Sequence, residues 1–283
     1  MLSSITPESI FAQIMMEEAP TAAFFLVEGP DESAVFWDHI SSGVVLIVCG
    51  GKRNVIGAAR LAETNNVGDV YGLVDADFDR IRGLNSNYPT KVMATVSYDL
   101  VSDLMSFAPR TLRRSLIAHA EPGVRAIEKT SKLSIEETIY ALTTRLAAAR
   151  LASIREDFPL IFKGYQFSQV IGSTYEPAGL YTILEHARQR SSSFELDEDV
   201  LKSVEIAFNE VNTGPYWSGG HDIVAASAAL LRKAGSQISS KTIAGTLIAA
   251  ASCPVLTSLP YLSELTAMAR ANSGVDLLDC FAA

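Results

Sequence analysis

Val70-Tyr71-Gly72-Leu73-Val74-Asp75-Ala76-Asp77-Phe78-Asp79 is a strand-length apolar run that ends in three carboxylates at every second position. An uninterrupted apolar run of this length reads as a strand buried on both faces, as in a parallel sheet. Residues i and i+2 of an extended chain project to one side, so Asp75 and Asp77 repel each other unless a cation neutralises them. The same design occurs earlier, where Ala23 to Val27 runs into Glu28-Gly29-Pro30-Asp31-Glu32. Glu32 follows Glu28 by four residues, one turn into the next helix, so both carboxylates can face one point. Ser97-Tyr98-Asp99 supplies a third acidic position. Carboxylates at buried strand ends are costly unless paired or holding a cation. Converging on one sheet edge, they form a hard-oxygen cage of the kind Mg²⁺ or Mn²⁺ prefers. The expected ligands are Glu28, Asp75 and Asp77, with Glu32 and Asp99. Purely structural roles compete: Glu32 also suits a helix N-terminus, and Asp79 can pair with Arg80 or Arg82.

Working outward, helix and strand alternate up to residue 109. Helices are expected at Pro7 to Glu18 (capped by Ser4 or Thr6), Glu32 to Ile40 and Asn54 to Thr64. Strands are expected at Ala23 to Val27, Val44 to Val48, Val70 to Val74 and Val92 to Val96. This is the signature of βαβ units, and predicts a mostly parallel, Rossmann-like α/β sheet with helices on both faces. Beyond Thr111 strand signals nearly vanish. Helices are expected at Leu112 to His119, Ile135 to Arg155, Ala178 to Arg190, Asp197 to Asn209, Ile223 to Ala234 and Lys241 to Ala251. Breaks fall at Pro122-Gly123, Gly164, Gly214-Pro215, Gly219-Gly220 and Pro260. The expected organisation is an α/β domain over 1–109 and an all-helical domain over 110–283.

The chain has 283 residues, 48% of them hydrophobic, which is enough for a large buried core. Its longest apolar stretch, Thr242 to Leu256, is too short to cross a membrane and contains Pro254. No signal peptide is evident, because the first twenty residues are amphipathic and include Glu8, Glu17 and Glu18. Cys49, Cys253 and Cys280 lack the paired spacing of a zinc site or a disulfide framework, which fits a reducing cytoplasm. The net charge of −9 argues against general nucleic-acid binding. Residues 110–170 nevertheless carry 10 Lys/Arg against 6 Asp/Glu. Such a segment suits a phosphate-handling enzyme, although a solvated helical face explains the charges more simply.

Gly50-Gly51-Lys52-Arg53 follows the second strand and opens a helix. Backbone amides beside glycines at a helix N-terminus bind phosphate, and Lys52 or Arg53 adds charge. The pattern is neither a Walker A loop nor a dinucleotide fingerprint. In Gly220-His221-Asp222, Asp222 is expected as a helix cap and His221 as a candidate acid, base or phosphate contact. Lys163, before Gly164, is a weaker candidate.

Phe24-Phe25-Leu26-Val27-Glu28-Gly29, then Gly50-Gly51-Lys52, then Leu73-Val74-Asp75-Ala76-Asp77, in this order, resemble a TOPRIM domain over about residues 20–108. The short spacing, the Asp-x-Asp-Phe-Asp form and the later Tyr98-Asp99-Leu100 are most similar to OLD-like nucleases. Among these the chain is similar to the TOPRIM effectors encoded beside ABC-type ATPases in bacterial anti-phage systems such as PARIS. The resemblance implies Mg²⁺- or Mn²⁺-dependent cleavage of RNA or DNA, toxic unless restrained by an ABC-type ATPase partner or within a homodimer. Glu28 matches the invariant TOPRIM glutamate, Glu32 the second acid of the OLD pattern, and Asp75 and Asp77 the Asp-x-Asp pair. Lys52, with the Gly50 and Gly51 amides, would stabilise charge on the phosphate. One departure stands out: those families follow Tyr-Asp-Leu with a glutamate for the second metal, and here Val101 occupies that position. A catalytically weakened binding module, or a nucleotide-sugar transferase using the Asp-x-Asp pair, are the other readings.

Overall fold

Each short apolar run forms a strand: β1 (Ala23–Val27), β2 (Val44–Val48), β3 (Val70–Val74) and β4 (Val92–Ala94). They pair in parallel in the order β2-β1-β3-β4, with Phe25 opposite Leu46 and Tyr71, and Leu73 opposite Met93. The expected fourth strand stops two residues early, because the chain turns at Thr95 to meet the loop after β3. The computed structural model describes residues 5–17, 22–191 and 194–282; Ser4 and Glu18, expected at the ends of the first helix, lie outside them.

Twelve α-helices occur among the described residues. The first three are α1 (Pro7–Met16), α2 (Pro30–Phe36) and α3 (Lys52–Thr64). Next come α4 (Leu100–Phe107), α5 (Arg110–Ser131), α6 (Ile135–Glu156), α7 (Leu180–Arg188) and α8 (Glu198–Glu210). The last four are α9 (Gly220–Lys233), α10 (Ser240–Ala249), α11 (Cys253–Leu256) and α12 (Pro260–Ser273). Two compact units result, one of residues 1–100 and 248–283, the other of residues 101–247.

In the first unit, alternate strand residues cover opposite faces of the sheet. Leu26, Ile47, Val70, Val74 and Val92 form a core with Ile10 and Ile14 of α1 and Val55, Ala58 and Ala62 of α3. On the other face Phe25 meets Phe36 of α2 at 5.3 Å between ring centroids. Tyr71 there reaches the Met268 carbonyl of α12, and Asn272 donates to its hydroxyl. The last 36 residues thus return to the sheet, so the expected division at 109 is replaced by one after residue 100 with a second crossing at 247/248. α12 is not among the helices expected from the sequence, which places residues 260–273 only within the helical domain.

The second unit is all-helical around Leu116, Ile127, Ile139, Leu146, Ile223 and Leu230, with Val101 packed against this core. Ser134 caps α6 in a reciprocal box with Glu137. The expected break at Pro122-Gly123 is a kink inside α5, where Ala120 leaves helical geometry. Asp222 is not the cap of α9: Gly219 holds that position, and Asp222 pairs with Arg150 at 2.5 Å. Part of the basic segment is paired: Arg113 with Glu128 and Glu136, Arg125 with Glu121, and Arg155 with Glu210.

Gly72 lies fully covered at the middle of β3. A Cβ there would sit 2.9 Å from Val55 Cγ1 and 3.0 Å from Val92 Cγ2. Gly72→Ala is therefore predicted to destabilise the protein by about 1–3 kcal/mol through overpacking. Urea denaturation measures this, and an unchanged midpoint would contradict the packing described.

Candidate metal centre

The chain steps from β1 to β2 on one side and then crosses to β3 on the other, so β1 and β3 are neighbours whose connections diverge. The crevice beyond the carboxyl ends of such strands is where open α/β sheets place their ligands. Glu28 is the residue after β1 and Asp75 the residue after β3. The Asp75 amide donates to Glu28 Oε1 at 2.8 Å, and the amide of Leu100, the first residue of α4, donates to Asp75 Oδ1 at 3.3 Å. Glu32 folds back so that Oε2 accepts from the Gly29 amide at 2.8 Å. It thus satisfies the first free amide of α2 while staying close enough to Glu28 and Asp75 to disfavour their ionisation.

These carboxylates repel. Burial raises the Glu28 carboxyl from its ordinary 4.5 to about 7, against the pull of the Asp75 amide and Lys52 and with added repulsion from Asp77 and Glu32. Asp75 is pushed well above the usual carboxylate range, first by burial and then by Asp99, Glu28, Glu32 and Asp77. Glu28, Glu32, Asp77 and Asp99 thus all disfavour ionisation of Asp75, although no three of these carboxylates bring an oxygen each within 4.8 Å of one another. Every donor is a hard carboxylate oxygen, the set suited to Mg²⁺ or Mn²⁺.

The loop carrying Asp77 departs from the extended geometry expected of it. Asp77 has a left-handed φ of 45°, held by its amide's 2.8 Å bond to the Tyr98 carbonyl. Its carboxylate turns to Lys52, whose Nζ lies 2.5 Å from Asp77 Oδ2 and 3.0 Å from Asp79 Oδ2. Burial alone would lower the Lys52 pKa, but the two aspartates outweigh it and the net shift is upward. Lys52 is thus a counter-ion of the acidic loop. Asp79 also accepts from the Tyr88 hydroxyl at 2.6 Å and makes no expected pair with Arg80. Arg80 instead donates to the Thr95 and Val96 carbonyls, while Thr95 Oγ1 accepts from the Ala76 amide at 2.8 Å. Sequence reasoning missed Tyr88 and Thr95, since no pattern marks a residue that acts only through a loop crossing.

Gly50 and Gly51 both have positive φ (74° and 131°), forming the turn that aims α3 at the acidic edge. Asn54 ties this turn by donating to the Cys49 carbonyl at 2.8 Å. The Gly51 amide already donates to the Glu28 carbonyl at 3.0 Å, so it is not available to a phosphate as expected. Lys52, Arg53, Arg60, Asp79, Asn87 and Tyr88 line a cavity of about 530 Å³ on the Lys52–Asp79 side, and Glu28, Asp75 and Asp99 are not among its lining residues. Arg53 is exposed there. His221, exposed on α9, and Lys163, in an exposed turn, belong to the helical unit and not to the sheet unit that carries this cluster.

No family model, curated protein or solved structure matches this chain.

Two measurements follow from the crowding. A carboxyl whose pKa rises on folding stabilises the fold while protonated; the contribution is whole below about pH 4.5 and lost as pH climbs through about 7. Metal-free wild type should therefore lose about 3 kcal/mol relative to Glu28→Gln between pH 4.5 and pH 8. Urea denaturation in chelator at several pH values reads this difference, and parallel pH profiles would refute it. Saturating Mn²⁺ should raise wild-type stability by about 2–3 kcal/mol at a hundredfold excess over Kd. The Asp75→Asn/Asp77→Asn protein should lose that gain, and equal gains would put the ions elsewhere.

Proposed function

We propose that this chain is a TOPRIM-like, Mg²⁺- or Mn²⁺-dependent nuclease that hydrolyses phosphodiester bonds in RNA or DNA. The single observation carrying this reading is the placement of Glu28 and Asp75 one residue beyond adjacent parallel strands at the sheet's switch point, with the Asp75 amide donating to Glu28 Oε1. Glu28, Asp75 and Asp99 would hold the ion, with Asp77 and Glu32 at its margin. The bound ion would supply a Lewis acid for the scissile phosphate and lower the pKa of a coordinated water. The residues of the chain do the rest. Glu32, fixed by the Gly29 amide, orients the attacking water. Lys52 keeps the Asp77–Asp79 loop in place at the edge of the cavity. Arg53 and Arg60, on the same cavity, suit the sugar–phosphate chain on either side of the cleaved bond. By its resemblance, such a nuclease would be a toxic effector in anti-phage defence, restrained by an ABC-type ATPase and active as a homodimer.

A second reading has its own observation. Val101, where the related families carry the second-metal glutamate, packs against the helical core. This favours a one-metal enzyme or a TOPRIM-like module that binds without cutting. A nucleotide-sugar transferase is the weakest option, because Lys52 already neutralises Asp77.

Labelled RNA, DNA and nucleotide sugars incubated with the protein and Mn²⁺ separate these readings. Cleavage of a nucleic acid is expected, with Glu28→Ala reducing the rate at least about a hundredfold while the fold persists. Binding without cleavage would establish the module, and equal cleavage by a folded Glu28→Ala protein would rule out this site.

A further inference from the structure

The three cysteines were expected to be scattered, yet the fold brings two of them together. Cys253, at the start of α11, and Cys280, in the 3-10 turn Asp279–Phe281, are joined by a disulfide across 27 residues. His39, at the end of the 3-10 turn Trp37–His39, faces both sulfurs, with Nδ1 3.4 Å from Cys280 Sγ and 3.8 Å from Cys253 Sγ. All three are half-buried, and all belong to the sheet unit. Their approach is fixed by backbone as well as side chains. Ile40 forms an antiparallel bridge with Leu278, and the Ser41 amide donates to the Leu277 carbonyl at 3.2 Å.

The imidazole is oriented for ligation. His39 Nε2 lies 3.1 Å from the Ala251 carbonyl oxygen. A carbonyl can only accept, so Nε2 carries a proton, and the Nε2–H tautomer presents its lone pair at Nδ1, toward the sulfurs. A backbone carbonyl on the far ring nitrogen is the usual support of a metal-bound histidine. A disulfide offers this lone pair no proton, whereas a metal ion satisfies it. Tetrahedral Zn²⁺, with Zn–S about 2.3 Å and Zn–N about 2.0 Å, has nitrogen–sulfur edges of roughly 3.5 Å and a sulfur–sulfur edge of roughly 3.8 Å. The two observed nitrogen–sulfur distances already bracket the first value. The second needs only that the sulfurs part, and with the Cα atoms 5.0 Å apart side-chain rotation can supply it.

We propose that His39, Cys253 and Cys280 form a Zn²⁺ site in the reduced protein, exclusive with the disulfide. A dithiol reductant delivers two electrons and two protons to the Cys253–Cys280 bond and itself becomes a disulfide. Zn²⁺ then binds the two thiolates and the His39 nitrogen, releasing both thiol protons, with its fourth position left to water. Two thiolates and an imidazole select a borderline-soft ion and reject Mg²⁺ and Mn²⁺. This site is therefore chemically separate from the carboxylate cluster and independent of any nuclease activity.

The full chain, reduced with a phosphine and freed of metal, is titrated with Co²⁺ and then Zn²⁺ under argon. One equivalent of Co²⁺ should give sulfur-to-metal charge-transfer absorption and the intense visible bands of tetrahedral cobalt, both removed by one equivalent of Zn²⁺. Cobalt on the carboxylates gives no sulfur band, so the signal reports this site alone. Cys253→Ser/Cys280→Ser should abolish the band, and His39→Ala should weaken Zn²⁺ by about tenfold or more. Two results on the wild-type protein overturn the proposal, whatever the variants do. One is a chain whose mass stays that of the disulfide after reduction. The other is a chain with two titratable thiols but no sulfur–cobalt band.

Discussion

Two half-buried carboxyls at the ends of adjacent strands, Glu28 and Asp75, set the constraint on which the surrounding loops depend. Glu28 and Asp75 lie one residue beyond adjacent buried strands, and the hydrogen bonds they accept come from backbone amides, of Asp75 and Leu100. Asp99, Glu32 and Asp77 add to the repulsion. Such a cluster persists only if the surrounding loops are held firmly, because each carboxylate gains by swinging into water. Those loops are held. Thr95 and Arg80 fasten the segment after β3 to the exit of β4, and the Tyr98 carbonyl fixes the left-handed Asp77. The Gly51 amide locks the turn after β2 to the Glu28 carbonyl. Stability given up at one edge and rigidity built around it are the pattern of a binding site.

Lys52 divides the acids into two groups. Asp77 and Asp79 have their cation built in, 2.5 Å and 3.0 Å away. Glu28 and Asp75 are answered by amides, with burial and mutual repulsion favouring their protonated forms. A divalent ion at the proposed site would therefore gain most on the Glu28–Asp75 side, where it would replace protons. The proposed nuclease chemistry belongs to that side, and the cavity lined by Arg53 and Arg60 opens beside Lys52.

Much of this was legible from the residues. Unbroken apolar runs located the strands, since a doubly covered parallel strand has no other local signature. Carboxylates directly after them located the site. What escaped had no local signal. The left-handed turn at Asp77 and the Tyr88 contact to Asp79 arise from a loop crossing. The return of α12 to the sheet depends on which apolar faces meet, and the meeting of Cys253 with Cys280 follows from it. Asp222 illustrates the reverse error: its position before an apolar helix fits a cap, but a half-buried Arg150 on α6 claimed the carboxylate.

Anomalous diffraction from crystals grown with Mn²⁺ tests the central claim most directly, because it locates the ion without reference to activity. The account predicts a peak between the ends of β1 and β3, with Glu28 and Asp75 oxygens in direct coordination, at about the 2.1 Å typical of a small octahedral ion. Full occupancy elsewhere, or no ion on these carboxylates at saturating Mn²⁺ and pH 8, would contradict it.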